Sequence, residues 1–117
     1  MLRKGEASFV AVLRCEPKVL RRRLAKRGYP NEKITENVEA ELIGVVLDEC
    51  VRRFGGKVVH EYDTTSASPA SVAKAIASDI SSKARGGPGW IDWTLGYDSS
   101  SRLRSLLEGA RAPPAST

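Results

Sequence analysis

The chain begins with a short apolar run, after which apolar residues recur at helical spacing. Residues 8–13 include β-branched side chains without polar alternation, a pattern typical of a strand buried on both faces of a parallel sheet. Pro17 and Gly28 stand at favourable start and stop positions, which predicts a helix over residues 18–26. Its apolar stripe is thin, so most of this helix is predicted to be solvated. Its cationic residues and those just after it are Lys18, Arg21, Arg22, Arg23, Lys26 and Arg27.

The longest periodic segment runs from Ile34 to Phe54. Its apolar residues recur every three or four positions, which predicts a single helix over residues 32–54 that Gly55 and Gly56 close. Residues 57–62 then read as a second strand. A further helix is predicted to begin at the cap Ser68. The apolar face predicted for that helix consists of Val72, Ala73, Ile76, Ala77 and Ile80.

The order strand, helix, helix, strand, helix predicts an α/β fold with parallel strands flanked by helices. Residues 1–85 form the predicted domain. Residues 86–117 are predicted to hold a Gly/Pro linker, a tryptophan-containing segment, a weak helix over residues 101–109 and a flexible tail. Two parallel strands leave an unpaired edge on each side, so the sheet is expected to be incomplete. Three interpretations follow: another polypeptide supplies further strands, the chain is a fragment of a longer one, or the chain self-associates through its open edges.

Composition places the chain among globular proteins, and its charge is unevenly distributed. Of the 117 residues, 41% are apolar and 28% charged. Residues 1–30 hold nine of the 19 Lys and Arg residues against two acidic residues, whereas the remainder holds ten basic and twelve acidic residues. The basic segment is expected to attract phosphates, whether of a nucleotide or of RNA.

Membrane spans and structural disulfides are not expected. No run approaches about 18 apolar residues, and no apolar region of a signal peptide follows the first cations. Cys15 and Cys50 stand outside any CxxC or paired-histidine pattern. They are predicted to be buried thiols in a reducing cytoplasm, with a disulfide between them as the minority alternative.

The usual phosphate-binding and metal-binding motifs do not occur in the sequence. There is no G-x-x-x-x-G-K-[ST] and no G-x-G-x-x-G, and the glycine pairs at Gly55 and Gly86 read as helix terminators. His60 is the only histidine and falls in a predicted strand, where a packed side chain is a better interpretation than a catalytic base. No cluster of His, Cys, Asp and Glu has ligand spacing, so no metal site is predicted.

Arg23 and Arg27 are the strongest candidates for chemistry. Four residues apart on a helix, they project from one face, and Gly28 follows where the chain can turn. Guanidinium groups are planar, always charged and bidentate toward phosphate, so such a pair can cover a phosphate chain during transfer. A solubilising helix face is the alternative interpretation of the same residues.

The segment around these arginines resembles the CINAP-type atypical adenylate kinases. The resemblance rests on R-L-x-x-R-G-Y at residues 23–29 together with K-I-x-E-N-x-E-A-E at residues 33–41, and it extends over roughly residues 8–82. It implies a P-loop kinase fold, ATP as phosphoryl donor, AMP as acceptor, Mg²⁺, and a role in maturation of the small ribosomal subunit.

The resemblance also implies roles for individual residues. Arg27 and Arg23 match lid arginines that contact phosphates. Three residues fall in the loop that holds the adenine, namely Thr64, Thr65 and Ser66, and Arg14 would border the same pocket. An ordinary strand-to-helix turn with a Ser68 cap is the alternative for that loop.

The family's Walker A loop, AMP-binding helices and Walker B-like motif have no counterpart in this sequence. The chain alone is therefore expected to be inactive, and a truncated product or one chain of a split enzyme is the leading interpretation. The alternative is a non-catalytic module that binds ribosomal RNA or a ribosomal protein through the basic residues 21–27.

Overall fold

A computed structural model describes residues 7–97 and 99–108, which form two strands, five α-helices and two short 3₁₀ turns. The 3₁₀ turns are Gly56–Val58 and Trp93–Tyr97. In chain order the strands and helices are β1 (Val10–Arg14), α1 (Pro17–Lys26), α2 (Asn31–Ile43), α3 (Val45–Phe54), β2 (Val59–Asp63), α4 (Pro69–Ser81) and α5 (Ser100–Glu108). The predicted α/β class with parallel strands and flanking helices is confirmed.

The two strands pair in parallel over their full length. Val10 lies opposite Val59, and the register continues to Arg14 opposite Asp63. Val12 and Val59 are buried, but Ala11 and Leu13 are exposed on the other face of β1. The prediction that this strand is buried on both faces is therefore wrong for the described structure, in which no element covers the second face of β1. In the described part of the chain each strand pairs only with the other, so one edge of β1 has no partner there.

The prediction of one long helix over residues 32–54 is wrong, because the helix breaks at Gly44. This glycine has a φ of 73°, a left-handed conformation that ends α2 and precedes α3. Gly44 N–H and Arg14 Nη2 both donate to the Glu41 carbonyl, at 3.2 and 3.3 Å. The apolar stripe continues across the break, which is why the sequence pattern alone predicts an uninterrupted helix.

The main buried cluster of the described protein is helical. It consists of Leu24 of α1, Ile34 and Val38 of α2, and Leu106 of α5, which is only 1% exposed. The helix predicted near residues 101–109 is therefore present, and it contributes to the core. The predicted flexible tail lies outside the described residues.

Arg21 corrects the prediction of a solvated cationic face on α1. Its side chain is buried, and its Nε and Nη2 donate to the carbonyls of Leu106 and Leu107 at 2.7 and 2.9 Å. Nη2 also donates to Thr35 Oγ1 at 3.0 Å. A charged donor thus satisfies carbonyls at the carboxyl end of α5, where cations are favourable.

Two helices carry apolar faces that no described element covers. Neither α3 nor α4 contains a buried residue. Val46 and Ile80 are exposed, and Val72 and Ile76 are only half-buried. The predicted inner face of α4 thus lies at the surface of the described structure, although its predicted Ser68 cap is present and accepts from Ser71 N–H at 3.1 Å.

Both cysteines are free thiols, Cys15 buried and Cys50 half-buried. Among the described residues, no helix combines the length and the apolar character that a bilayer crossing requires.

Candidate functional site

A cavity of about 620 Å³ lies where α1, the end of β1 and the loop after β2 meet the first turns of α4. Arg23 and Arg27 form its basic side, as their four-residue spacing predicts. The other lining residues are Leu13, Thr64, Ala67, Pro69, Val72, Ala73 and Ile76. The structure thus brings together three of the six predicted site residues, Arg23, Arg27 and Thr64, beside an apolar wall.

Arg23 is held in place by the loop that follows β2. Its Nη2 donates to the carbonyls of Thr64 and Thr65 at 3.1 and 2.8 Å, and its Nη1 lies 3.4 Å from Cys15 Sγ. Burial raises the pKa of the Cys15 thiol, although the Arg23 guanidinium acts in the opposite direction. Because a thiol with a raised pKa stays neutral near pH 7, Cys15 does not form an ion pair with Arg23.

Arg27 has a different environment. It is the C-cap residue of α1 and is exposed, and in the described part of the chain its guanidinium has no hydrogen-bond or ion-pair partner. Because guanidinium is always charged and presents donors suited to phosphate, Arg27 is the group at this cavity most able to bind an anion.

The threonine hydroxyls of the loop are engaged within the protein. Thr64 Oγ1 donates to the Arg14 carbonyl at 2.7 Å. Thr65 Oγ1 donates to Asp63 Oδ1 at 2.5 Å and accepts from Glu16 N–H at 2.9 Å. These bonds join the ends of both strands to the start of α1 and fix the carbonyls that orient Arg23.

Ser66, the third predicted loop residue, is exposed in the bend that follows and does not line the cavity. The assignment of the three loop residues to adenine stays a prediction.

Arg14 lies outside this cavity, in a buried ionic network. Its Nε donates to Glu41 Oε2 at 2.7 Å and its Nη1 to Glu61 Oε1 at 2.5 Å. The same Glu41 oxygen accepts from Trp93 Nε1 at 2.7 Å, and Glu61 Oε2 accepts from Gly89 N–H at 2.5 Å. All three guanidinium nitrogens of Arg14 thus have acceptors, and its role toward a nucleotide stays a prediction.

Sequence reasoning missed this network, although a signal for it was present. Arg14 ends a strand predicted to be buried, and a buried charge needs a partner of opposite sign. Glu61 sits in the other predicted strand and was the obvious candidate. Glu41 and Trp93, in contrast, reach Arg14 from distant parts of the chain, and no local pattern marks them.

His60 is packed, as predicted. It is buried, and its ring stacks on Phe9 with centroids 4.1 Å apart. The described residues contain no group of three His, Cys, Asp or Glu side chains placed to hold a metal ion.

The chain is similar in sequence to one family profile and to several known proteins. A family profile described as "AAA domain" matches residues 2–44. The chain is 46% identical over 89 residues to a "Putative adenylate kinase" of Natronomonas pharaonis, covering 76% of this chain and 53% of that protein. A Pyrococcus furiosus protein of the same description is 41% identical over 92 residues, covering 79% and 50%.

The chain thus spans about half the length of the curated relatives it matches. The class defined by the fold is an α/β protein whose parallel strands and flanking helices correspond to part of a P-loop kinase-like fold. Within that class, the chain is similar to relatives described as putative adenylate kinases over about half of their length.

Proposed function

We propose that this chain supplies the lid arginines and the base-binding side of a CINAP-type adenylate kinase, which transfers phosphate from ATP to AMP. The phosphate-binding loop and the Mg²⁺-holding groups come from another segment, on the same polypeptide or on a separate one. Without them the described chain is catalytically inactive. A cytoplasmic location and a role in small-subunit ribosome maturation, both expected from the sequence, belong to the same proposal.

One observation carries the proposal: Arg27, which has no partner among the described residues, stands beside Arg23 at a cavity with an apolar wall. A volume of about 620 Å³ is within the range of small-molecule sites. Leu13, Val72 and Ile76 offer apolar surface for a purine, and the two guanidinium groups offer positive charge for phosphates.

The residues of this chain fit only part of an ATP–Mg²⁺ complex. When bound, ATP supplies the phosphoryl group and Mg²⁺ neutralises its charge. Arg23 and Arg27 would bind and orient phosphate oxygens, and the apolar wall would exclude water from one side. The sequence has no G-x-x-x-x-G-K-[ST] loop to cradle the β- and γ-phosphates, which is why the proposal places that function elsewhere.

The free edge of β1 is the place where a completing segment would attach. β1 has no partner on this edge in the described structure, and its Leu13 is 57% exposed. A strand added here would pair the unsatisfied backbone groups and bring its own loops to the end of the sheet that the cavity occupies. The uncovered faces of α3 and α4 would give such a segment apolar surface on both sides.

The test is a reconstitution assay. The chain is mixed with a polypeptide that carries a phosphate-binding loop half of the same family, and ATP-dependent phosphorylation of AMP is measured with Mg²⁺. We expect activity only in the mixture, and Arg27→Ala should lower kcat by about 100-fold, the usual loss for one donor to transition-state charge. Arg27→Lys should recover only part of it, because lysine lacks the bidentate geometry.

Arg85→Ala provides the matched control, because Arg85 is exposed and lies outside the cavity. Its kcat should equal that of the unaltered chain. Full activity of Arg27→Ala would refute the lid assignment, and a mixture without activity would refute the proposed function. Sedimentation at several concentrations shows whether the open strand edges drive self-association instead.

The non-catalytic alternative is that the chain binds ribosomal RNA or a ribosomal protein through residues 21–27. Arg21 is directed into the protein and Arg23 is bound to the loop, so the predicted face is not a single surface. Other cations of α1 remain exposed.

A further inference from the structure

The cations of α1 are divided among three sides of the helix. Arg21 points into the helical core, and Arg23 lines the cavity after β2. The others, Lys18, Arg22 and Lys26, are all exposed. In the described part of the chain none of these three side chains forms an ion pair.

Their spacing makes them a row. Each is four residues from the next, so they follow one another along one side of the helix, about 6 Å apart and about 12 Å from end to end. Lys18 also lines a cavity of about 450 Å³ together with Glu16 and with Arg102 of α5. A line of exposed cations that form no ion pair among the described residues matches a linear polyanion better than a single compact anion.

An exposed aromatic residue follows this row in the chain. Tyr29 is 43% exposed and follows α1 by three residues, in the turn before α2. Its backbone N–H is bonded to the Leu24 carbonyl at 3.1 Å, so its position on the turn is fixed. Backbone-tracking cations combined with an exposed ring are the two components of single-strand nucleic-acid binding surfaces.

We propose that Lys18, Arg22 and Lys26, with Tyr29, bind the phosphodiester backbone and one base of a single-stranded nucleic acid. The cations contact successive phosphates and the tyrosine ring stacks on an unpaired base. A flat lipid surface would need exposed apolar side chains beside the cations, whereas the two apolar residues between Arg22 and Lys26 are Leu24, which is buried in the helical core, and the small Ala25. The proposal deepens the binding-module alternative and does not depend on the nucleotide cavity.

The experiment uses fluorescence anisotropy with a labelled single-stranded RNA of about 12 nucleotides, within the usual site sizes. The full chain is titrated at several salt concentrations. The triple variant Lys18→Ala, Arg22→Ala, Lys26→Ala should lose about tenfold or more in affinity. Its slope of log K against log salt should fall by about 2, as expected for three lost phosphate contacts on a single strand. Tyr29→Ala should lose about fivefold or more.

A second triple variant is the matched control: Lys57→Ala, Lys74→Ala, Arg85→Ala. Like the first variant, it removes two lysines and one arginine, here from exposed positions outside α1. The two triple variants therefore have the same net charge. Its affinity for RNA should stay within about twofold of the unaltered chain. Equal losses in the two triple variants would reduce the effect to net charge and overturn the proposal.

Two further measurements separate the proposal from its rivals. The unaltered chain and the α1 triple variant should bind vesicles of anionic phospholipid equally weakly. If the unaltered chain binds the vesicles and the α1 triple variant does not, the nucleic-acid assignment is overturned. Arg27→Ala should bind RNA as the unaltered chain does, and the α1 triple variant should keep its activity in the reconstituted assay. RNA binding can thus fail while the kinase proposal stands, and the reverse also holds.

Discussion

Arg14 and Glu61 form a buried ion pair in which Nη1 lies 2.5 Å from Oε1 and the side chains are 3% and 0% exposed. The pair joins β1 to β2, and Arg14 continues to Glu41 at the end of α2. Loss of one partner leaves a desolvated charge without compensation, which is costly in a protein interior.

We therefore expect Arg14→Met to lower the free energy of unfolding by about 3–5 kcal/mol, measured by urea denaturation. Glu61→Gln, which keeps the shape and an acceptor, should cost less. The control is Arg52→Ala, which breaks the exposed Arg52–Asp48 pair and should change stability by about 0.5 kcal/mol or less. Equal effects of Arg14→Met and Arg52→Ala would contradict the buried role of Arg14.

The helix break at Gly44 gives a prediction about backbone conformation. A Cβ at this position would meet only Arg14 Nη2, at 4.0 Å, so the penalty comes from the φ of 73° and not from a clash. Gly44→Ala should destabilise the protein by about 1–2 kcal/mol, and Gly44→Asn by less, because asparagine tolerates the left-handed region.

Gly87→Ala is the matched control for this substitution in thermal denaturation. Gly87 has open space around its Cβ position and an ordinary φ, so its replacement should be neutral or slightly stabilising. If Gly44→Ala were as stable as Gly87→Ala, the chain would not require a left-handed residue between α2 and α3.

The contribution of α5 to the core is tested with Leu106. Leu106→Ala removes a fully buried side chain that packs with Leu24, Ile34 and Val38, and we expect a loss of about 2–5 kcal/mol. Leu95→Ala, at a position 75% exposed, should cost less than about 0.5 kcal/mol. Hydrogen exchange of the α1 and α2 amides should accelerate in Leu106→Ala alone, and unchanged exchange would show that α5 does not stabilise these helices.

The pair Tyr97–Glu16 predicts an alkaline dependence of stability. Burial, and then the hydrogen bond from Tyr97 Oη to Glu16 Oε2 at 2.5 Å, raise the pKa of Tyr97 to about 12. The folded state holds this proton more tightly than the unfolded state, where the pKa is about 10. The contribution to stability is therefore complete below pH 10 and is lost as the pH rises from about 10 through 12.

Tyr97→Phe should weaken this decline in chemical denaturation followed between pH 8 and 12. Burial and a hydrogen bond to Asp79 raise the pKa of Tyr62 as well. Tyr97→Phe should therefore keep part of the decline in stability, and the double variant Tyr62→Phe/Tyr97→Phe should keep a smaller part. A decline that is identical in the unaltered chain and the double variant would assign it to other groups.

The local elements could be predicted from the sequence because their signals are local. The unbroken apolar run marks β1, and Ser68 with Pro69 marks the start of α4. The spacing of Arg23 and Arg27 correctly predicted that both face one side.

Features that depend on distant partners could not be predicted. The break at Gly44 interrupts a continuous apolar pattern and coincides with a bond from Arg14 to the Glu41 carbonyl, 27 positions along the chain. In the sequence Arg21 cannot be distinguished from its exposed neighbours. Its burial is explained by its bonds to the carbonyls of Leu106 and Leu107, which lie 85 and 86 positions away. Side-chain pairing over such separations leaves no periodic trace.

The anchoring of the α1–α2 hairpin has a mechanical consequence. Both crossings between the sheet and the hairpin are bonded, one through Glu16 N–H to Thr65 Oγ1 and the other through Glu41 to Arg14. The tip around Gly28 lies one helix length from either crossing. Within α1, Arg23 adds a third connection, to the loop after β2. A rotation of the hairpin about the sheet would therefore have to break the Arg23 bonds before it could displace Arg27, and it would move α5 together with the hairpin.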